Sequence, residues 1–196
     1  MDKKLKYSVL KMAQMAMLVA ISIVTLYVIP VMSWFPAASY LQYDIADVPV
    51  LIGTMLFGPG SGLLILSLVS VIQGLTVGSG GGWVGIVMHF CASGALVLIS
   101  GLIYKKWKTV WSLIIGLVLG SLAMTALMIP LNLTLTVWFY GMTYKAVKDL
   151  LLPAFIPFNL VKSGLNSTIT AVLFFPLKEI LIRLDLLQPQ NCAHKK

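Results

Sequence analysis

The sequence predicts an all-α integral membrane protein: a bundle of six transmembrane helices with both termini cytoplasmic, forming one domain over residues 1–196. Three observations carry this. Of the 196 residues 59% are hydrophobic and only 10% are charged, against about 25% charged in an ordinary soluble domain. Mean hydropathy is +0.97. The apolar residues fall into six segments, about 7–29, 45–57, 63–77, 83–104, 110–140 and 153–184, separated by Gly, Pro or Lys.

The first segment exceeds the roughly 20 residues needed to cross a bilayer and stops at Pro30. Lys3, Lys4 and Lys6 precede it as in a signal peptide. The apolar run continues without a small-residue cleavage site, so a retained helix is expected. Met12, Ala13, Ala16 and Ala20 form a small-residue face, and Ala16 and Ala20 have the spacing that lets helix backbones approach closely. That face serves either internal packing or docking of another protein.

Residues 31–43 contain Trp34, Phe35, Pro36, Tyr40 and Tyr43 but no Lys or Arg, as in a non-cytoplasmic interfacial loop. The second segment, Ile45 to Phe57, spans only about 20 Å as a helix, short for a membrane crossing. Gly58-Pro59-Gly60-Ser61-Gly62 turns the chain into the third segment. Gly78-Ser79-Gly80-Gly81-Gly82 lacks a following Lys-Ser or Lys-Thr and a preceding strand, which excludes a phosphate loop. A flexible loop or a lid over a binding site is expected there. The fourth segment opens at Trp83 and ends at Lys105-Lys106-Trp107-Lys108, a cytoplasmic turn. The fifth carries Gly116 and Gly120 in GxxxG spacing and a predicted break at Pro130. Residues 141–152 form a loop with Lys145, Lys148 and Asp149, and the sixth segment has a predicted kink near Pro176.

Basic residues lie before the first segment, between the fourth and fifth, and after the sixth at Lys178, Arg183, Lys195 and Lys196. By the positive-inside rule these are cytoplasmic, which six crossings satisfy. The net charge of +8 is therefore topological, and no nucleic-acid partner is expected. Cys91 and Cys192 are too few and too separated for a disulfide framework or a metal cage.

Against this apolar background Asn159, Lys162 and Asn166 stand at i, i+3 and i+7 on one helical face. A charge at membrane depth costs about 2.5–3.5 kcal/mol on insertion scales, so Lys162 marks a functional site and needs a partner. It lies about 15 Å below the outer end of its helix. Asn132 has similar depth, and Asp44 and Asp47 edge the second segment. Ser61 with His89 has the residue types of a hydrolase but no nucleophile motif, and Asp44 with Asp47 suits capping or loop ordering better than acid catalysis. No enzyme is expected. A small-molecule site fits better: Asn132, Asn159, Lys162, Asn166 and Asp47, framed by Leu41, Tyr43, Trp83, Phe155 and Phe158. The alternative is that the asparagines join helices and Lys162 pairs with Asp47 in a buried bridge. Nothing in the chain can hydrolyse ATP, and no titratable chain crosses the inner halves of the helices, so active uptake needs an external motor.

The basic N-terminus with Ala16-Met17-Leu18-Val19-Ala20, then Tyr43-Asp44-Ile45-Ala46-Asp47-Val48-Pro49, Phe57-Gly58-Pro59-Gly60-Ser61-Gly62 and Asn159-Leu160-Val161-Lys162 together carry a resemblance. The chain resembles the substrate-binding S components of energy-coupling factor (ECF) vitamin transporters, and within them those specific for riboflavin. The resemblance implies a multi-pass protein of the bacterial cell membrane that binds vitamin from outside. It also implies docking through Ala16 and Ala20 to a transmembrane coupling protein carrying two ATPases. Asn132, Asn159 and Lys162 would hydrogen-bond the flavin, and no cofactor is implied beyond the transported riboflavin. Biotin and pantothenate, whose carboxylates Lys162 could pair with, are the alternatives within the family, whereas cationic thiamine would be repelled. Outside the family, the alternative is a self-contained small carrier or channel.

Overall fold

A computed structural model describes residues 3–28, 43, 45–77 and 81–187. Leu41, Asp44, nearly all of the aromatic segment 31–43, the Gly-Ser-Gly stretch 78–80 and the C-terminal lysines lie outside the described residues. The described residues are helical throughout, apart from turns: α1 (Lys3–Val28), α2 (Asp47–Phe57), α3 (Pro59–Leu75), α4 (Gly82–Trp107), α5 (Val110–Leu131), α6 (Val137–Tyr140), α7 (Tyr144–Leu150) and α8 (Ile156–Arg183). Two π-helical turns, Asn132–Thr136 and Leu151–Phe155, join α5 to α6 and α7 to α8.

Four stretches are long and apolar enough to cross a membrane: Leu5–Val28, Gly82–Trp107, Val110–Tyr140 and Tyr144–Arg183. The two shorter ones, α2 and α3, are equally apolar. At 11 residues α2 is about 16 Å long, and all but its last residue are buried. It is thus a central plug walled by its neighbours, which explains how so short an apolar helix is accommodated.

Glycines set the closest approaches. A Cβ on Gly62 of α3 would run into the Thr54 hydroxyl of α2, and one on Gly101 of α4 would lie 2.6 Å from Thr54 Cγ2. The GxxxG pair of α5 seats on α4: a Cβ at Gly116 would lie 3.1 Å from the Ser100 carbonyl oxygen, and one at Gly120 would lie 3.0 Å from that of Leu96. Because backbone cannot yield as a side-chain tip can, Gly120→Leu should destabilise the bundle by about 1–3 kcal/mol. Thermal unfolding in detergent checks this, with Gly60→Ala as control, since nothing lies within 4 Å of a Cβ there. A melting temperature unchanged in the Gly120 variant would refute the tight α4–α5 contact.

Two differences from the sequence expectation have local causes. Residues 144–150, expected as loop, are helical because Thr143 caps them, its hydroxyl accepting from the Ala146 amide at 3.3 Å. Lys178, counted among cytoplasmic surface charges, is buried. Its Nζ donates to the Tyr104 hydroxyl at 3.3 Å and lies 5.9 Å from the centres of both the Tyr104 and Phe174 rings. This arrangement substitutes aromatic faces for water around the ammonium. Around it Lys108, Met55, Leu56 and Leu187 line a cavity of about 20 Å³, room for a single water. At Pro130 the helix does not stop, but it passes into the π-helical turn two residues later. Helix α8 continues through Pro176.

The basic end of the bundle is closed by the chain following α8. Gln14 of α1 donates through Nε2 to the Leu186 carbonyl at 3.0 Å, and Leu187 is buried. At the opposite end a second, smaller core gathers Val147, Ala154, Phe155 and Phe158, with Tyr43, Leu133 and Val137 packed against it. The polar residues singled out in the sequence cluster near this second core.

Candidate functional site

Helix α8 sets the site. Its spacing turns Phe158, Asn159, Lys162, Ser163 and Asn166 inward together, and all five are buried. A buried Lys with 6% of its surface exposed is costly at membrane depth. It is offset across the bundle by Asp47 at the start of α2, whose carboxylate lies within the field of the Lys162 ammonium. The helix N-terminus also favours a negative charge at Asp47.

Asp47 is held by more than this one cation. Ser93 of α4 donates to its Oδ2 at 3.0 Å, and Nε2 of His89, one turn earlier on the same face, stands 3.3 Å from its Oδ1. The other imidazole nitrogen, Nδ1, lies 2.8 Å from the Ser70 hydroxyl of α3. Asp47 makes no capping hydrogen bond to α2, so the expected cap is instead a cross-brace among α2, α3 and α4. Ser61 and His89, set aside above as a hydrolase pair, bond elsewhere: the Ser61 hydroxyl donates to the Phe57 carbonyl of the preceding turn at 3.2 Å. Ser70, His89 and Asp47 do stand in Ser–His–Asp order, yet Ser70 is 2% exposed. A hydrolytic serine needs substrate access and oxyanion donors, and a sealed one acts as a brace.

The asparagines are placed differently from the interhelical joints considered above. Asn132, fully buried where α5 turns π-helical, donates through Nδ2 to the Met128 carbonyl at 2.7 Å and accepts from Thr136 Oγ1 at 3.1 Å. Asn159 donates to the Phe155 carbonyl, the last residue of the other π-helical turn, at 2.7 Å. Each carboxamide thus bonds within its own stretch of helix, beside a distortion of the kind that recurs at functional sites. A carboxamide has two N–H donors and two acceptor lone pairs, so these bonds leave capacity for a ligand. Asn166 alone joins elements, accepting from the Tyr43 hydroxyl at 3.1 Å. That bond ties the end of the aromatic segment to α8. Trp83 is half exposed and meets Trp138 edge to face, ring centres 5.7 Å apart.

The structure therefore joins Tyr43 to Asn166, sets Asp47 within electrostatic reach of Lys162, and packs Tyr43 and Leu133, the neighbour of Asn132, on Phe155 and Phe158. The residues missed in the sequence are Ser70 and Ser93, and the brace they make with His89. The available signal was that His89 and Ser93 recur at i, i+4 on one face of an otherwise apolar helix.

A buried ammonium, a carboxylate and three carboxamides in an apolar helical wall suit recognition of a small molecule rather than bond cleavage. Comparison with known proteins identifies the family. The sequence profile described as "ECF transporter, substrate-specific component" matches residues 10–174. The chain belongs to that family. The riboflavin transporter RibU of Streptococcus thermophilus (strain ATCC BAA-250 / LMG 18311) is similar to this S component, 32% identical over 183 residues, 89% of this chain and 85% of the relative. The riboflavin transporter FmnP of Bacillus subtilis (strain 168) is 30% identical over 163 residues, 79% of this chain and 83% of the relative. A solved structure described as the S component of a bacterial ECF transporter superposes with a TM-score of 0.73 at 30% identity, covering 87% of this chain and 96% of that one. The family and the four span-length helices make this S component a multi-pass bacterial membrane protein.

Proposed function

We propose that this chain is the high-affinity riboflavin-binding subunit of an ECF transporter, capturing the vitamin from outside for ATP-driven uptake by a separate coupling protein with two ATPases. The carrying observation is that relatives about one-third identical over most of its length are named riboflavin transporters. The polar set agrees in chemistry. Riboflavin presents a flat, largely apolar ring with hydrogen-bonding edges and a hydroxylated tail, matched by carboxamides and one ammonium among aromatic and aliphatic walls.

In this reading Asn132, Asn159, Lys162 and Asn166 contact the vitamin, Tyr43 and Trp83 with Leu41 frame it, and Asp47 holds Lys162. All six apolar stretches are embedded in the membrane, both termini and the basic end are cytoplasmic, and the second core faces outward. The exposure of Met12, Ala13, Ala16 and Ala20 on α1 supports their use as the docking face for the coupling protein. Titrating riboflavin into the purified protein and following the quenching of flavin fluorescence tests the ligand, and a yellow preparation is expected. A colourless preparation that leaves the fluorescence unchanged overturns it, and binding of biotin or pantothenate instead transfers the chain to another vitamin. Liposomes holding this chain alone should show no riboflavin flux. Flux without ATP would establish a self-contained carrier.

A further inference from the structure

The imidazole of His89, a half-buried group on α4, stands between two polar side chains of neighbouring helices. His89 lies in an apolar helix and contacts a carboxylate with one nitrogen and a hydroxyl with the other, and that carboxylate also feels the ammonium of Lys162, buried on α8. Facing the Asp47 carboxylate, Nε2 carries the N–H, so in the neutral ring Nδ1 accepts from the Ser70 hydroxyl. Ser70 therefore orients the ring, the ring sets Nε2 3.3 Å from Oδ1 of Asp47 as an electrostatic contact without a formed hydrogen bond, and Ser93 donates to Oδ2 at 3.0 Å. A carboxylate has two oxygens, and here both face α4, while the Lys162 ammonium acts on it from α8. The other groups facing this carboxylate are thus one imidazole, one hydroxyl and one ammonium, from α4 and α8.

We propose that His89 is a positioning residue for the vitamin site: by holding Asp47 on the α4 side, it stops the carboxylate from taking the Lys162 ammonium as an exclusive partner. Lysine has a flexible four-carbon stem and a compact charge, so its position follows the nearest fixed anion. With Asp47 anchored by three helices, the ammonium is steadied yet still able to donate to a ligand. Without the imidazole, Oδ1 is released to close on Lys162. The inference rests on riboflavin as ligand and concerns a residue to which that reading gives no part.

The test is a double-mutant cycle read as riboflavin affinity by fluorescence titration of the full chain in detergent. His89→Ala should weaken binding by about tenfold, the scale of one displaced charge-assisted hydrogen bond. In a Lys162→Ala background the same substitution should change affinity by less than about twofold, because neighbours acting through one partner are not additive. His89→Gln, whose amide can donate to Asp47, should recover most of the loss. Ser70→Ala, which frees the ring to turn, should lose part of it. If His89→Ala fails to fold, the Gln and Ser70→Ala variants in both backgrounds carry the same comparison. Equal losses with and without Lys162, or a Gln variant as weak as Ala, overturn the inference and leave His89 as packing alone. A wild-type protein that binds no riboflavin overturns the proposed function and this inference with it.

Discussion

Lys162→Ala should weaken riboflavin binding by about 1.5–3 kcal/mol, roughly 10- to 150-fold in dissociation constant, with little loss of folded protein. The size is that of a hydrogen bond to a charged group. The retained fold follows from what stays behind. Removing one partner of a buried ion pair is ordinarily costly because it strands the other charge, but the Asp47 carboxylate keeps the Ser93 hydroxyl at 3.0 Å and the His89 imidazole at 3.3 Å. Asp47→Ala should behave differently. It removes both the carboxylate that acts on the ammonium and the α2–α4 brace, so it should lower both affinity and melting temperature. Fluorescence titration alongside thermal unfolding separates the two variants. Full affinity in Lys162→Ala would return the lysine to a purely structural role.

Ala16→Leu combined with Ala20→Leu should abolish riboflavin uptake in cells while leaving binding to the isolated protein unchanged. Both alanines are exposed and one turn apart on α1, beside the exposed Met12 and Met17. Helix α1 packs inward through Met15, Leu18, Val19 and the buried Leu26, so the opposite face is not needed for the fold. Two helices meeting at small residues bring their backbones close. Leucine side chains would push such a partner helix outward and forfeit that packing. Uptake at the wild-type rate would eliminate this face as the docking surface, and weakened binding by the isolated protein would show that the face supports the vitamin site.

What could be read in the sequence follows the range of the interactions. The glycines at 116 and 120 announce a close helix contact through spacing alone, because a missing Cβ at i and i+4 always opens one face. Lys162 stands out for a similar reason: the cost of a buried charge depends on the membrane and not on which neighbour relieves it. The shortness of α2 was legible too, whereas its role as a walled plug was not, since that depends on Gly62 and Gly101 making room for Thr54 from two other helices. The Asp47–His89–Ser70 brace required knowing how three helices are rotated about their axes, and no local pattern supplies that. Lys178 shows the same limit from the other side. Its place in a basic cluster is visible in the sequence, but the pairing with Tyr104, 74 positions earlier, is not.

The hydrogen bond from Gln14 to Leu186 bears on how the protein is handled in the laboratory. It fastens the chain after α8 to the first half of α1, two positions before Ala16. A fluorescent protein inserted directly after buried Leu187 is therefore held next to the docking face proposed for the coupling protein. Cargo placed there is a competitor for that surface, and a silent uptake assay with such a fusion reports on the cargo before it reports on the transporter.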